Sequence, residues 1–126
     1  MARILIIEDE EDLRKLIAIY LEGAGYETLE APTGGAGLRM LAQPDTQVDL
    51  VVTDVFMPEK DGLEVIMACH RAGMPVVAMS GGDARGSLDI LKPAKLLGAC
   101  EVLRKPFSRD ELLTTVVSVL SRPGAS

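Results

Sequence analysis

Five short apolar runs punctuate this chain, and four of them lead directly into residues that could do chemistry. Glu8-Asp9 follows Arg3 to Ile7, Asp54 follows Leu50 to Thr53, Ser80 follows Val76 to Met79, and Lys105-Pro106 follows the run that begins at Glu101. The remaining run, Tyr26 to Glu30, leads into Ala31-Pro32, which offers nothing reactive. If the runs are parallel strands of one sheet, these residues gather beyond the carboxyl ends, where open α/β sheets bind their ligands. Three carboxylates brought together there repel: two unit charges ~4 Å apart interact by about 4 kcal/mol at an effective dielectric of about 20. Relief requires a cation or a shifted protonation state. A hard divalent cation suits oxygen donors, and Mg²⁺ binds a couple of carboxylates while keeping positions for phosphate oxygens. Lys105 adds a point charge for a further phosphate oxygen, and Ser80 adds a hydroxyl donor. A carboxylate nucleophile, a metal, a cation and a donor are the working parts of phosphoryl transfer.

Each of these residues alone has a plainer role. Glu8 to Asp12 is an acidic run that could simply favour a helix N-terminus. Asp54 could be a turn residue ahead of Met57-Pro58, Ser80 a turn residue before Gly81-Gly82, and Lys105 a solvated lysine. Their joint placement at four strand ends is what makes a site.

The elements that must position them follow from periodicity. The runs Arg3 to Ile7, Tyr26 to Glu30, Leu50 to Thr53, Val76 to Met79 and Glu101 to Leu103 read as strands, three of them almost continuously apolar, as strands covered on both faces are. Leu13, Leu16, Ile17, Tyr20 and Leu21 fall on one face of a helix that Gly23 or Gly25 can end. Leu112, Leu113, Val116, Val117 and Leu120 repeat that spacing, and Ser108 with Glu111 forms a capping box. Gly62 to Ala72 reads as another helix closed by Gly73, and Thr33 to Leu41 as one burdened by three glycines. The order is βα repeated about five times, so an α/β doubly wound five-stranded parallel sheet is expected, with right-handed crossovers. Strand order 2-1-3-4-5 would set Glu8, Asp9 and Asp54 side by side.

Composition bounds the rest. The chain has 126 residues, 48% apolar and 25% charged, which fits one domain over 1–126 with a frayed tail after about residue 121. A net charge of −6 argues against direct nucleic-acid binding by this domain. No apolar run reaches a membrane-spanning length and no export signal precedes the first strand, so a cytoplasmic location is expected. Cys69 and Cys100 have neither disulfide-framework nor metal spacing, and the lone His70 has no partner motif.

Over essentially its whole length the sequence resembles the receiver domains of two-component response regulators, through ILIIEDEEDL, VVTDVFMPEKDGLEVI, VVAMSGG and LRKPF. The resemblance implies a flavodoxin-like fold and a phosphoacceptor function, with a histidine kinase or a histidine phosphotransfer protein as donor and a further protein as downstream partner. It implies Asp54 as phosphoacceptor and Glu8, Asp9, Asp54 and the backbone carbonyl of Phe56 as Mg²⁺ ligands. Ser80 and Lys105 would follow the phosphoryl group, and Pro106 would sit behind a cis bond that aims the lysine. Enzyme activity is expected only toward the domain's own aspartyl phosphate. Some positions depart from the family pattern. Val102 stands where an aromatic switch residue is usual, Phe56 and Gly82 are apolar where hydrolysis is often tuned, and Pro93 falls inside an expected helix.

Other readings differ in kind. The domain could be the receiver part of a longer hybrid kinase or transcriptional regulator. A flavodoxin-like FMN carrier would need a Gly- and hydroxyl-rich loop after the first strand, where this chain is acidic. A phosphatase with an aspartyl nucleophile would want a second Asp two residues on, where Phe56 stands.

Overall fold

The computed structural model describes residues 1–55, 61–81 and 98–122. Its elements run β1 (Arg3–Ile7), α1 (Glu11–Gly23), β2 (Glu27–Ala31), α2 (Gly34–Ala42), β3 (Leu50–Asp54), α3 (Asp61–Arg71), β4 (Val76–Ser80), β5 (Glu101–Arg104) and α4 (Arg109–Leu120). The strands form one parallel sheet in the order β2-β1-β3-β4-β5, the expected doubly wound arrangement. The almost continuously apolar runs are the three central strands, and β3 and β4 are buried at every residue. Edge strands β2 and β5 keep partly exposed positions, which is why their sequences are mixed.

Because successive side chains of a strand point to opposite faces, the sheet carries two cores. On one face Ile4, Ile6, Val52 and Met79 pack with Ile17 and Leu21 of α1 and Leu112 and Val116 of α4. On the other, Leu5, Ile7, Val51 and Ala78 meet Val65 and Ile66 of α3, with α2 packed alongside.

Several details differ from the sequence expectation. β2 starts and ends one residue later than expected. The buried stripe of α1 is Arg14, Ile17, Ala18 and Leu21, whereas Leu16 is 40% exposed. The stripe of α4 is Leu112, Val116 and Val119, with Val117 half exposed. Hydrophobicity alone sets the apolar arc of a helix only to within a residue or so, and the sheet chooses the line within it. The three glycines of α2 do not prevent a helix: Thr33 caps it by accepting from the Ala36 N–H at 3.0 Å. At Gly37 a Cβ would collide with the tip of Ile7, so this glycine sets how closely α2 approaches the sheet. The Ser108–Glu111 capping box is formed in both directions, at 3.0 and 2.8 Å. The chain leaves α1 through Gly25 at φ +98°, a conformation that favours glycine. Pro93 and the helix expected around it lie outside the described residues. Among the described residues, no helix is long and apolar enough to cross a membrane.

Candidate functional site

The register of the sheet assembles the site. Ile7 pairs with Thr53, so Glu8 and Asp54 leave neighbouring strands at one level. Asp54 pairs with Met79 and Ser80 with Arg104, so Ser80 and Lys105 follow at the same end of the sheet. Strand alternation then sorts them: Glu8 continues the series Ile4, Ile6, and Asp54 the series Leu50, Val52, both facing α1 and α4. Lys105 follows Leu103 on that face. Ser80 belongs instead to the alternation of Val76 and Ala78, which face α2 and α3.

Carboxylate oxygens of Glu8, Asp9 and Asp54 lie within 4.8 Å of one another. Glu8 and Asp54 are buried, and Asp9 faces solvent. The ammonium of Lys105 reaches both buried acids, donating to Glu8 Oε1 at 2.7 Å and standing 3.2 Å from Asp54 Oδ2. Glu8 Oε2 accepts from the Glu10 backbone N–H at 3.1 Å. Burial pushes the Glu8 carboxyl above its ordinary range, and the neighbouring Asp54 charge adds to this; hydrogen bonds from Lys105 and Glu10 recover only part of the loss. Burial alone would pull Lys105 down, but its bond to Glu8 and the charge of Asp54 outweigh that and hold it above the usual lysine value. The two shifts have opposite consequences: the charged form is disfavoured at Glu8 and favoured at Lys105.

The acids open into a cleft of about 700 Å³ that runs along α1, past Leu13, Ile17 and Tyr20, to Pro106 and Phe107. Near β4 the wall is formed by Gly81. Ser80 is buried, and its hydroxyl donates to the Gly81 carbonyl over a long 3.4 Å. Its carbonyl accepts from the Lys105 N–H at 2.7 Å, which ties the two strand ends together. The Lys105–Pro106 bond is cis, as the resemblance implies. Val102 is partly buried against the α2/α3 core. Phe56 and Gly82 lie outside the described residues.

Gly62, at the start of α3, abuts this site from below. A Cβ there would collide with the carbonyl oxygens of Asp54 and Val55 and with the Cα of Val55. Two further residues escape a reading of strand ends. Arg14 is a buried guanidinium whose Nη1 donates to the Glu8 carbonyl at 2.9 Å and whose Nε donates to Glu30 at 3.1 Å. The available signal was an arginine lying between Leu13 and Ile17 on the core side of α1. His70 is exposed and packs over Gly98, where a Cβ would overlap its ring. Cys69 and Cys100 are not joined in a disulfide, and burial pushes Cys69 up to about 11, so little of it is thiolate at neutral pH.

A doubly wound parallel sheet with an acidic cluster and a lysine across its carboxyl edge defines a class of phosphoryl-accepting α/β domains. The response regulator receiver domain family matches residues 4–117, and the chain belongs to it. The transcriptional regulatory protein RprY of Bacteroides fragilis is 34% identical over 95% of this chain and 50% of its own length. The phosphate regulon transcriptional regulatory protein PhoB of Pseudomonas aeruginosa is 33% identical over 96% of this chain and 52% of its own. The chain thus spans about half the length of these curated relatives. Among solved structures, a response regulator receiver domain protein from Clostridium thermocellum superposes with a TM-score of 0.87 at 31% identity, covering 97% of this chain and 96% of that one.

Proposed function

We propose that the domain takes a phosphoryl group onto Asp54 from a phosphohistidine donor. The observation that carries this reading is the convergence of three carboxylates within 4.8 Å, two of them bridged by Lys105. The donor set, oxygen-only and with one open solvent-facing side, fits Mg²⁺, with Glu8, Asp9 and Asp54 as its protein ligands and the Phe56 carbonyl as the fourth that the resemblance adds. When bound, the ion neutralises charge on the transferring group and leaves positions for its oxygens. An Asp54 carboxylate oxygen attacks phosphorus, the donor's P–N bond breaks, and its electron pair stays with the imidazole ring. Lys105 then exchanges a carboxylate partner for a phosphoryl oxygen, and the Ser80 hydroxyl turns from the Gly81 carbonyl to another. The resemblance gives Pro106 the part of aiming Lys105, and Val102 lies on β5, paired with Ala78 of the strand that ends at Ser80.

The donor would be a histidine kinase or a histidine phosphotransfer protein, and the output a downstream protein in the cytoplasm. No separate substrate is turned over in this reading; the only hydrolysis is that of the aspartyl phosphate. The half-length match to transcriptional regulatory proteins is also compatible with a second reading of the context, in which this is the receiver part of a longer transcriptional regulator.

Acetyl phosphate with Mg²⁺ is expected to add one phosphoryl group per chain, labile to hydroxylamine and lost in Asp54→Asn by intact-protein mass spectrometry. Labelling that survives in D54N, or that proceeds equally in excess chelator, would overturn the assignment.

A further inference from the structure

We propose that Arg14 is a positioning residue for the acidic pair, locking the turn between β1 and α1 so that Glu8 and Asp9 are held ready for a divalent cation. The inference rests on the metal-assisted reading of the site above.

Arg14 is only 9% exposed, unusual for a guanidinium, and its donors are used on both sides. Nη1 donates to the backbone carbonyl of Glu8, the same residue whose side chain forms one wall of the acidic cluster. Nε donates to Glu30 on β2, the strand on the far side of β1 from β3. Nη2 lies 3.7 Å from Glu11, and Lys15 shares Glu30 at 3.2 Å. One rigid fork therefore joins α1, the end of β1 and the end of β2.

The turn needs such a brace. Glu8 and Asp9 follow the last ladder residue of β1, Ile7. The Glu8 N–H is held by the Ala31 carbonyl at 3.1 Å, and its carbonyl by Arg14. With both backbone groups of Glu8 anchored, its side chain has one direction in which to leave. The unmetallated cluster pushes the other way, because like charges gain by separating. A positive group on the Glu8 carbonyl opposes that spreading without occupying a carboxylate oxygen, so it stays in place when a cation binds. Residues that orient metal ligands from behind commonly govern affinity by about tenfold or more.

The test compares Arg14→Met, Glu30→Gln and the double variant with the wild-type chain. Mg²⁺ affinity is read by isothermal titration calorimetry, and fold integrity by circular dichroism and Tm in chelator. Arg14→Met is expected to weaken Mg²⁺ binding about tenfold, raising the Mg²⁺ concentration for half-maximal labelling by acetyl phosphate while the rate at saturating Mg²⁺ stays close to wild type. Glu30→Gln, a milder change, is expected to weaken binding less and in the same direction, and the double variant to be no worse than Arg14→Met, because the two act through one contact. A purely structural arginine would lower Tm in chelator and leave Mg²⁺ affinity within twofold in Glu30→Gln and in any folded Arg14→Met, and that result would overturn the proposal. If Arg14→Met does not fold, an unchanged affinity in Glu30→Gln overturns it alone. Failure of the wild-type chain to bind Mg²⁺ would overturn the metal reading and this inference together, whereas wild-type binding with unaffected variants would sink only the role of Arg14.

Discussion

Glu8 is asked to be ionised in a place that disfavours ionisation. It is 1% exposed, its carboxyl is raised by burial and by Asp54, and Lys105 compensates only in part. A carboxyl raised in the fold costs stability in full above its folded pKa, and that cost shrinks as the pH falls below it and is gone below the ordinary carboxyl value, where both states are protonated. Lys105 runs the other way: its raised value contributes stability that is present through neutral pH and lost on alkaline titration. Glu8→Gln keeps an acceptor for Lys105 and for the Glu10 N–H while discarding the charge. In chelator at neutral pH this variant is expected to have a higher Tm than the wild type, with the gap closing in acid. It is also expected to lose Mg²⁺ affinity. A lower Tm at neutral pH, checked by scanning calorimetry, would mean that the pairing with Lys105 outweighs burial. A binding site that is destabilising when empty is the usual signature of residues kept for function.

At the scale of elements, two glycines show how packing distance serves the site. Gly37 brings α2 onto Ile7, and Gly62 brings the start of α3 onto the backbone of Asp54 and Val55. The obstacle at Gly37 is the Cγ1 and Cδ1 of Ile7, a fully buried β-branched side chain that can shift only with its neighbours; the obstacle at Gly62 is main chain, including the Asp54 carbonyl. Gly37→Ala is therefore expected to cost up to about 2 kcal/mol, since overpacking of about 1–3 kcal/mol is offset only in part by the roughly 1 kcal/mol of helix propensity that alanine gains. Gly62→Ala is expected to cost about 1–3 kcal/mol and to slow labelling of Asp54, because the carbonyl that must yield belongs to the proposed acceptor itself. Denaturant unfolding with labelling rates would check both. Equal effects at the two positions would show that helix approach is set by something other than these contacts.

At the scale of the molecule, ligand binding and folding are linked. A chain of net charge −6 that draws three carboxylates together gains from any cation bound only by the folded state. Mg²⁺ at 100 times its Kd would add about 3 kcal/mol, and Tm should rise accordingly and fall back on chelation. Protons compete for the same oxygens, and the raised value of Glu8 brings that competition closer to neutrality. The Mg²⁺-induced rise in Tm is thus expected to shrink as the pH falls from neutrality towards the ordinary glutamate range, beginning above that range because Glu8 is raised, the opposite trend from the metal-free stability of the Glu8 site. A rise independent of pH would place the ion elsewhere.

Periodicity and strand-end residues by themselves determine much of the fold and of the site. Apolar runs of about five residues are too short for buried helices and read as strands covered on both faces, so β1, β3 and β4 were legible, and with them the carboxyl edge where Glu8, Asp9, Asp54 and Lys105 meet. The capping box of α4 was equally plain, because it is a local pattern with a local cause. Three things belonged to tertiary structure. Which line of α1 faces the sheet was decided by packing, so Arg14 is buried while Leu16 is not. The side of the sheet to which each site residue turns was decided by register, which groups Lys105 with Glu8 and Asp54 and sets Ser80 behind Gly81. The grip of Arg14 on Glu8 and Glu30 joins residues 6 and 16 positions apart. No periodicity records such a contact, because it exists only once a helix and two strands have been brought to the same corner of the fold.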